Sequence, residues 1–309
     1  MAFGFGFGFP FLTGAGGSAS YSLASSLRFR SSASAYLNRT FGTPTAQTKY
    51  TISVWVKRGT STFYTIFSAG SATANDYDSL QFNSNTGIAI FARNGLTYEV
   101  DPSQFFRDFA AWYHIIVAVD TTQATASDRV KWYINGTQVT SFSTATYPAQ
   151  NSTSAFNRSG ANHAIGALYS GSYNQYLDGE LAEFNFIDGQ QLAPTALGAF
   201  SIYNQWLPIA YAGTYGTNGF YLPFSNTTST STLVADSSGN GNNWTPNNIS
   251  LTAGSTYDSL TDVPTLTSAT VANYAVLNPV NPKGNSTVTN GNLTEVITTV
   301  TGAGRGTTI

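Results

Sequence analysis

Cysteine is absent from the 309 residues. That excludes disulfide staples, thiol nucleophiles and cysteine-ligated zinc together. A chain this long buries enough apolar surface to fold without such bridges, so an extracellular existence stays open. Charge is scarce as well: Asp, Glu, Lys and Arg make up 9%, against about 25% in ordinary soluble domains. No apolar run explains this as a membrane span, because the most apolar stretch, Ile115 to Val119, falls far short of the ~20 residues a bilayer requires. The first basic residue is Arg28, so the opening segment lacks the basic region of a signal peptide. Residues 159–282 contain no Lys or Arg and seven acids, a balance of −7, whereas residues 1–158 hold 11 basic and 7 acidic groups, a balance of +4. Without a basic stripe, the composition argues against a nucleic-acid partner, and the acidic half reads as solvated surface.

What is present is neutral polarity and aromatic bulk. Tyr 18 and Phe 21 against a single Met, with abundant Ser, Thr and Asn, is a profile suited to pleated, half-buried surfaces. With 41% hydrophobic and 14% aromatic residues, the chain has too much core material for disorder. Tyr50-Thr-Ile-Ser-Val-Trp-Val-Lys57 alternates with Ile52, Val54 and Val56 inward, and shorter runs follow at Phe63–Phe67, Ser79–Phe82 and Gly87–Ala92. Trp112 to Val119 is almost continuously apolar and reads as a central strand covered on both faces. Arg129 to Ile134, Asn135-Gly136 and Thr137 to Phe142 read as a hairpin, since Asn-Gly supplies the two positive-φ residues of a tight turn. Glu180 to Ile187 is a further strand, and Pro194 suits the first turn of a short helix over Ala193–Phe200. Many short strands with scarcely any helix predict an all-β, antiparallel jelly-roll β-sandwich, with an extended N-terminal segment and an irregular C-terminal segment.

The order of these motifs resembles concanavalin A-like, laminin-G-like domains. Ser26-Leu-Arg-Phe-Arg30, Ala35-Tyr-Leu37 and Tyr50–Lys57 are similar to their opening. Trp112–Asp120 and Val130–Gly136 are similar to their central strand and hairpin, and Leu177–Phe186 through Leu192 to their final strand and the short helix after it. The resemblance spans roughly residues 21–200 and implies a fold rather than a function, because this fold hosts lectins, hydrolases and spacers alike. Gly219-Phe-Tyr-Leu-Pro-Phe224 to Trp244 resembles the strand and glycine-rich loop that usually precede the first motif. A permuted sandwich over residues 21–262 is therefore expected, with residues 219–251 packing back and Phe220, Leu222 and Phe224 meeting Val54, Ile116 and Phe184.

Residues 1–20 begin with alternating Phe and Gly, and period 2 puts Phe3, Phe5, Phe7 and Phe9 on one face, with Phe11 following Pro10. This reads either as a frayed tail or as a segment that docks on a partner by strand addition or by seating its rings in a groove. Together with Thr256-Tyr-Asp-Ser-Leu-Thr-Asp-Val-Pro264, it resembles proteins of tailed bacteriophages, marine and cyanobacterial ones in particular. The resemblance implies a virion structural protein (a fibre, tail-appendage or head-decoration subunit) assembled in the host cytoplasm, oligomeric, and anchored to other virion proteins through this segment. Residues 263–309 are expected to be a linker or the start of a further β domain.

Three clusters are candidates for binding. Tyr169, Tyr173, Asn174 and Tyr176 put aromatic faces beside amides, which suits the sugars of a cell-surface polysaccharide or a subunit contact, a plain loop being the third reading. Asp76 with Asp78, and Asp236 with Asn240, offer oxygens on loops; calcium is the metal they would suit, and turn residues bonding their own backbone are the alternative. No cofactor is otherwise implied. For catalysis the pattern is poor. Glu180 and Glu183 are three apart and face opposite sides of a regular strand. His114 reads as a packed core histidine and His163 as a loop residue. The chain is expected to be a non-enzyme, with a glycan-binding adhesin as the alternative to a virion subunit and a carbohydrate-degrading enzyme as a distant third.

Overall fold

The computed structural model describes residues 21–59, 63–73, 75–83, 87–92, 98–268, 270–275, 277, 286–289 and 294–297. Phe3, Phe5, Phe7, Phe9 and Phe11 lie outside the described residues. The strands in chain order are β1 (Ser26–Phe29), β2 (Tyr36–Thr40), β3 (Lys49–Arg58), β4 (Tyr64–Gly70), β5 (Tyr77–Phe82), β6 (Ile88–Ala92) and β7 (Tyr98–Pro102). There follow β8 (Trp112–Asp120), β9 (Val130–Ile134), β10 (Thr137–Gln138), β11 (Phe142–Thr146), β12 (Asn162–Ile165), β13 (Leu168–Tyr169), β14 (Tyr173–Asn174) and β15 (Gly179–Asp188). The last are β16 (Gly198–Phe200), β17 (Trp206–Pro208), β18 (Phe220–Leu222), β19 (Thr245–Asn247), β20 (Ser259–Leu260), β21 (Ser286–Thr289) and β22 (Thr294–Ile297), with one short helix, α1 (Thr230–Leu233).

Among the described residues two antiparallel sheets make the sandwich. The first runs β10-β9-β8-β3-β15-β1-β20, and β18 also pairs with β15; the second runs β11-β7-β6-β5-β4-β12-β2-β19. Alternation sorts the side chains. On β3, Tyr50, Ile52, Val54 and Val56 enter the core between the sheets, and on β8 Ile115, Val117 and Val119 do the same. Each such residue contributes roughly 1.5–3 kcal/mol by leaving water. Their neighbours Ser53, Trp55 and Lys57, and Trp112, His114 and Ile116, take the opposite, outer face. That face is also buried. Trp55 and Trp112 pack there with Ala182, Trp206 and Val263, while Ile116 packs with Ala118, Ile187 and Leu197. Chain beyond residue 189 therefore forms a second layer over the first sheet.

Residues 219–251 join both sheets. Phe220, Tyr221 and Leu222 pair with Phe186, Asn185 and Phe184 of β15, and β19 pairs with β2. Phe220, Leu222 and Phe224 lie in the same core cluster as Val54 and Phe184. Ile116 does not, because it points to the outer face of β8.

Three local expectations need correction. The turn at Asn135 (φ 47) and Gly136 (φ 77) forms, but its second arm stops at Gln138, and Phe142 begins β11, which pairs with β7 in the other sheet. The segment after β15 holds only a 3-10 turn at Pro194–Ala196, and Gly198 to Phe200 pair with Pro208 to Trp206 as a hairpin. His163 is on β12, not in a loop. It is buried, stacked on Phe41 at 3.5 Å.

Candidate functional site

The tyrosines expected to face a ligand are half-buried and in contact with one another. Tyr169 and Tyr173 face each other across the β13–β14 hairpin at 4.9 Å between ring centroids. Tyr173 lies 4.1 Å from Tyr36 of β2, and Tyr176 lies 6.0 Å from it. The Asn162 side chain donates to the Tyr173 hydroxyl at 2.6 Å, and the Tyr176 hydroxyl donates to the Tyr173 carbonyl at 3.0 Å. The Asn174 amide reaches only Ser170 and Ser172 of its own loop, both at 3.5 Å. These rings hold the loop against the outer face of the second sheet, and Tyr36 is the member sequence alone did not suggest.

The acidic loops are likewise engaged. Asp76 receives two bonds from the Arg158 guanidinium, at 3.1 and 2.9 Å. Asp78 is buried on β5, accepts from the Phe156 amide, and is pushed up to about 6 by burial. Asp236 accepts from the amides of Tyr221, Ser238 and Asn242, and Asn240 donates to the carbonyls of Gly216 and Gly219. These are the bonds of a folded turn. Among the described residues no group of three or more His, Cys, Asp or Glu side chains gathers at one point.

The outer face of the first sheet carries the chemistry. Trp55, Trp112, Trp206 and Phe200 line an open cleft of about 420 Å³, with Asn135, Asn204, Gln205 and Asn273 among its other walls. β3 and β8 deliver the first two rings; the β16–β17 hairpin folds over to deliver the others. His114 fixes the arrangement. Its ring stacks on Trp55 at 4.7 Å with an interplanar angle of 3°, and its Nδ1 accepts from Trp206 Nε1 at 2.8 Å. The proton therefore sits on Nε2, which donates to Ser53 Oγ at 2.8 Å. Burial drives the imidazole down to about 3, so it stays neutral. Trp112 Nε1 donates to Asp262, whose other oxygen takes Lys57 Nζ at 2.6 Å. The buried Trp55 Nε1 has no partner among the described residues. No charged side chain is among the described residues that line the cleft.

Glu180 and Glu183 are on this same face, against expectation. The register between β15 and β3 slips between Ala182 and Asn185, and Glu183 has φ 53. This is a β-bulge, in which one extra residue restarts the alternation. Leu181 and Phe184 both enter the core, leaving Glu180 and Glu183 outward together. Glu180 is 1% exposed; burial and neighbouring Asp262 raise its carboxyl, opposed by Lys57 and Arg28. Glu183 accepts from the Tyr21 hydroxyl at 2.5 Å and the Tyr221 hydroxyl at 2.8 Å, and these two hydroxyls are 2.7 Å apart. Three contacts need three protons. Two phenols supply two, so the ring closes only when the carboxyl holds the third. Burial pushes Glu183 up to about 7, against the pull of the two hydroxyls.

A pH dependence follows. The unfolded carboxyl loses its proton near 4.5 and the folded one near 7, so between those values the folded state binds more protons and stability falls as pH rises. Glu183→Gln removes this contribution and leaves those of all other groups in place. The stability difference between native protein and variant should shift by about 2–3 kcal/mol between pH 4.5 and 8. Urea midpoints at the two pH values check it, and parallel curves would place the Glu183 pKa near that of the unfolded chain.

The model of the concanavalin A-like lectin/glucanases superfamily matches residues 30–194, more than half of the chain. The chain belongs to this superfamily. No curated protein sequence matches it. Among solved structures in this superfamily's neighbourhood, it is similar to a candidate carbohydrate binding protein from Bacteroides ovatus. The two are 13% identical with a TM-score of 0.50, over 74% of this chain and 59% of that one. A heptameric SAP-like pentraxin from Limulus polyphemus is 17% identical with a TM-score of 0.39, over 55% of this chain and 77% of that one. The CBM40 of a Ruminococcus gnavus sialidase, solved with sialyllactose, is 12% identical with a TM-score of 0.34, over 53% and 86%. At these identities the likeness concerns the sandwich.

Proposed function

We propose that this chain binds a neutral glycan in the tryptophan cleft, and that binding rather than hydrolysis is its task. One observation carries the reading. It is a cleft of about 420 Å³ with aromatic and amide walls and no charged side chain among its described lining residues. The side-chain amides of Asn135, Asn204 and Gln205 can bond sugar hydroxyls, and the exposed Phe200 ring offers a face for a sugar ring to pack on. The description of the Bacteroides ovatus protein, which shares the fold, agrees with this. Non-hydrolysis is supported by the burial of Glu180 (1% exposed) and the capping of Glu183 by two tyrosine hydroxyls, since neither carboxyl stands free to protonate or attack a glycosidic bond.

The setting we infer is display on a particle, a tailed-phage virion, with Phe3 to Phe11 as the attachment. Its support is the Phe-Gly alternation and the motif order in the sequence. Display in many copies would let weak single sites hold a cell-surface polysaccharide, because linked sites multiply avidity without new contacts.

The test is a glycan array followed by calorimetric titration of the best neutral ligand. Phe200 is 51% exposed, so Phe200→Ala should change folding stability by no more than ~0.5 kcal/mol. Loss of an aromatic anchor should nonetheless weaken binding about tenfold or more. Unchanged affinity, or an array without a bound glycan, overturns the assignment. Release of reducing ends that disappears in Glu180→Gln overturns the non-hydrolytic part.

A further inference from the structure

The capped carboxyl of Glu183 borders a second cavity, of about 310 Å³, whose walls include Tyr21, Tyr211, Tyr215 and Tyr221. This volume is at the lower end of the ~300–1,000 Å³ range of small-ligand sites. Four phenol rings and one carboxyl meet there, and no Lys or Arg is among the lining residues. Among the described residues no cation pairs with Glu183; its partners are the Tyr21 and Tyr221 hydroxyls. Residues 159–282, which include Glu183 and Tyr221, contain no Lys or Arg. A buried carboxylate without a counter-charge is costly, and here it also sits on a backbone in the left-handed region, φ 53, itself a strained state for glutamate.

We propose that this cavity is a cation site which takes a methylated ammonium group, with Glu183 as counter-ion and the tyrosine rings as walls. The electrostatics point one way. Aromatic faces attract a cation, most strongly when it is desolvated, and methyl groups remove the hydrogen-bond demands that an apolar wall cannot meet. The bulge supplies the aim. It lies where β15 changes partner, from β1 at Gly179–Leu181 to β18 at Phe184–Phe186, so Tyr21 ahead of β1 and Tyr221 on β18 converge on the one carboxyl between them. The charged and titratable groups around Glu183 are Tyr21, Tyr221 and Tyr215, with Tyr211 and Asp236 acting on Tyr215. All are neutral or negative at pH 8, which favours a cation. The site does not depend on the glycan assignment, because Trp55, Trp112 and Trp206 line a different cavity.

The probe is tetramethylammonium chloride, with tert-butyl alcohol as its uncharged counterpart, titrated by calorimetry against the full chain. At pH 8 the cation should bind at least tenfold more tightly than the alcohol. If only ionised Glu183 binds, affinity should weaken about 50-fold on going from pH 7 to 5, since a carboxyl of pKa about 7 is half ionised at pH 7 and about 1% ionised at pH 5. Glu183→Gln should abolish the preference for the cation. Tyr211→Leu, a change on the half-exposed wall, should weaken the cation by about fivefold and leave the alcohol alone; it keeps the test intact should the first variant fold poorly. Equal affinity for cation and alcohol, or cation binding that both variants retain, overturns the proposal, as does absence of binding at 50-fold excess over about 1 mM.

Discussion

Asp258→Ala is expected to cost about 3–5 kcal/mol of folding stability, because it leaves two buried guanidiniums without their counter-charge. Asp258 is fully buried, and Arg28 and Arg30 are 3% and 9% exposed. Leu27 and Phe29 of β1 point into the core, so the two arginines project together from the outer face. One carboxylate serves both. Oδ1 takes Arg28 Nε at 3.3 Å and Arg30 Nε at 2.7 Å, while Oδ2 takes Arg30 Nη2 at 3.0 Å and the Ser250 amide at 2.8 Å. The arginines also clamp the loop that carries the acid, through the carbonyls of Ser255, Tyr257 and Asn248. The pair thus ties residues 248–258 and β20 to the edge of the first sheet. Asp258→Asn, which keeps acceptors but not charge, should lose less. Replacing all three groups with apolar residues of similar volume should recover most of the loss, as buried ion pairs commonly allow. Denaturant midpoints measure each variant. If Asp258→Ala loses under about 1 kcal/mol, the loop is solvated and the arginines have water as a partner.

The sandwich was legible in the sequence because β3 alternates with period 2 and β8 is almost continuously apolar. β3 and β8 declare both faces, and an apolar residue at Ile116 correctly signals that the outer face is covered, although not by what. Two things were not legible. The bulge at Glu183 leaves no mark, since the positive φ falls on a glutamate rather than on the Gly or Asn that usually announces it, and a one-residue slip reverses every later assignment of face. The cleft was missed for a different reason. Alternation sets Trp55 on the face opposite Ile52, Val54 and Val56, Trp112 belongs to a strand read as covered on both faces, and Phe200 and Trp206 come from a hairpin whose first arm sequence presented as the end of a short helix. Their convergence is a property of the second layer. The tyrosines of 169–176, in contrast, cluster in sequence and so drew attention, whereas Tyr36, which packs on Tyr173 at 4.1 Å between centroids, comes from a distant strand. A signal for the cleft did exist: Asn135-Gly136 fixes a turn whose glycine lies directly under Trp206.

Trp206→Ala should have the second large effect, and on stability and binding together. The indole lies over two glycines. A Cβ on Gly136 would sit 2.2 Å from Trp206 Cε3, and a Cβ on Gly198 would sit 2.2 Å from its Cζ2. Its edge meets Phe200 at 4.9 Å between centroids, and its N–H holds the tautomer of His114. Truncation opens a cavity across the outer layer and strands the His114 Nδ1 acceptor, for which a loss of about 3–5 kcal/mol is the usual scale. Glycan binding should vanish, since the ring is also a wall of the cleft. Two further variants separate these roles. Trp206→Phe keeps an aromatic face but removes the donor, so it should lose roughly 1–3 kcal/mol and retain part of the binding. Gly198→Ala keeps the indole and displaces it, because a methyl group at that backbone position has nowhere else to go; about 1–3 kcal/mol of overpacking is expected, with affinity lost as fully as in Trp206→Ala. Affinity that survives in Gly198→Ala would mean the ligand does not touch Trp206, and the cleft would then be a seam between the hairpin and the sheet rather than a binding site.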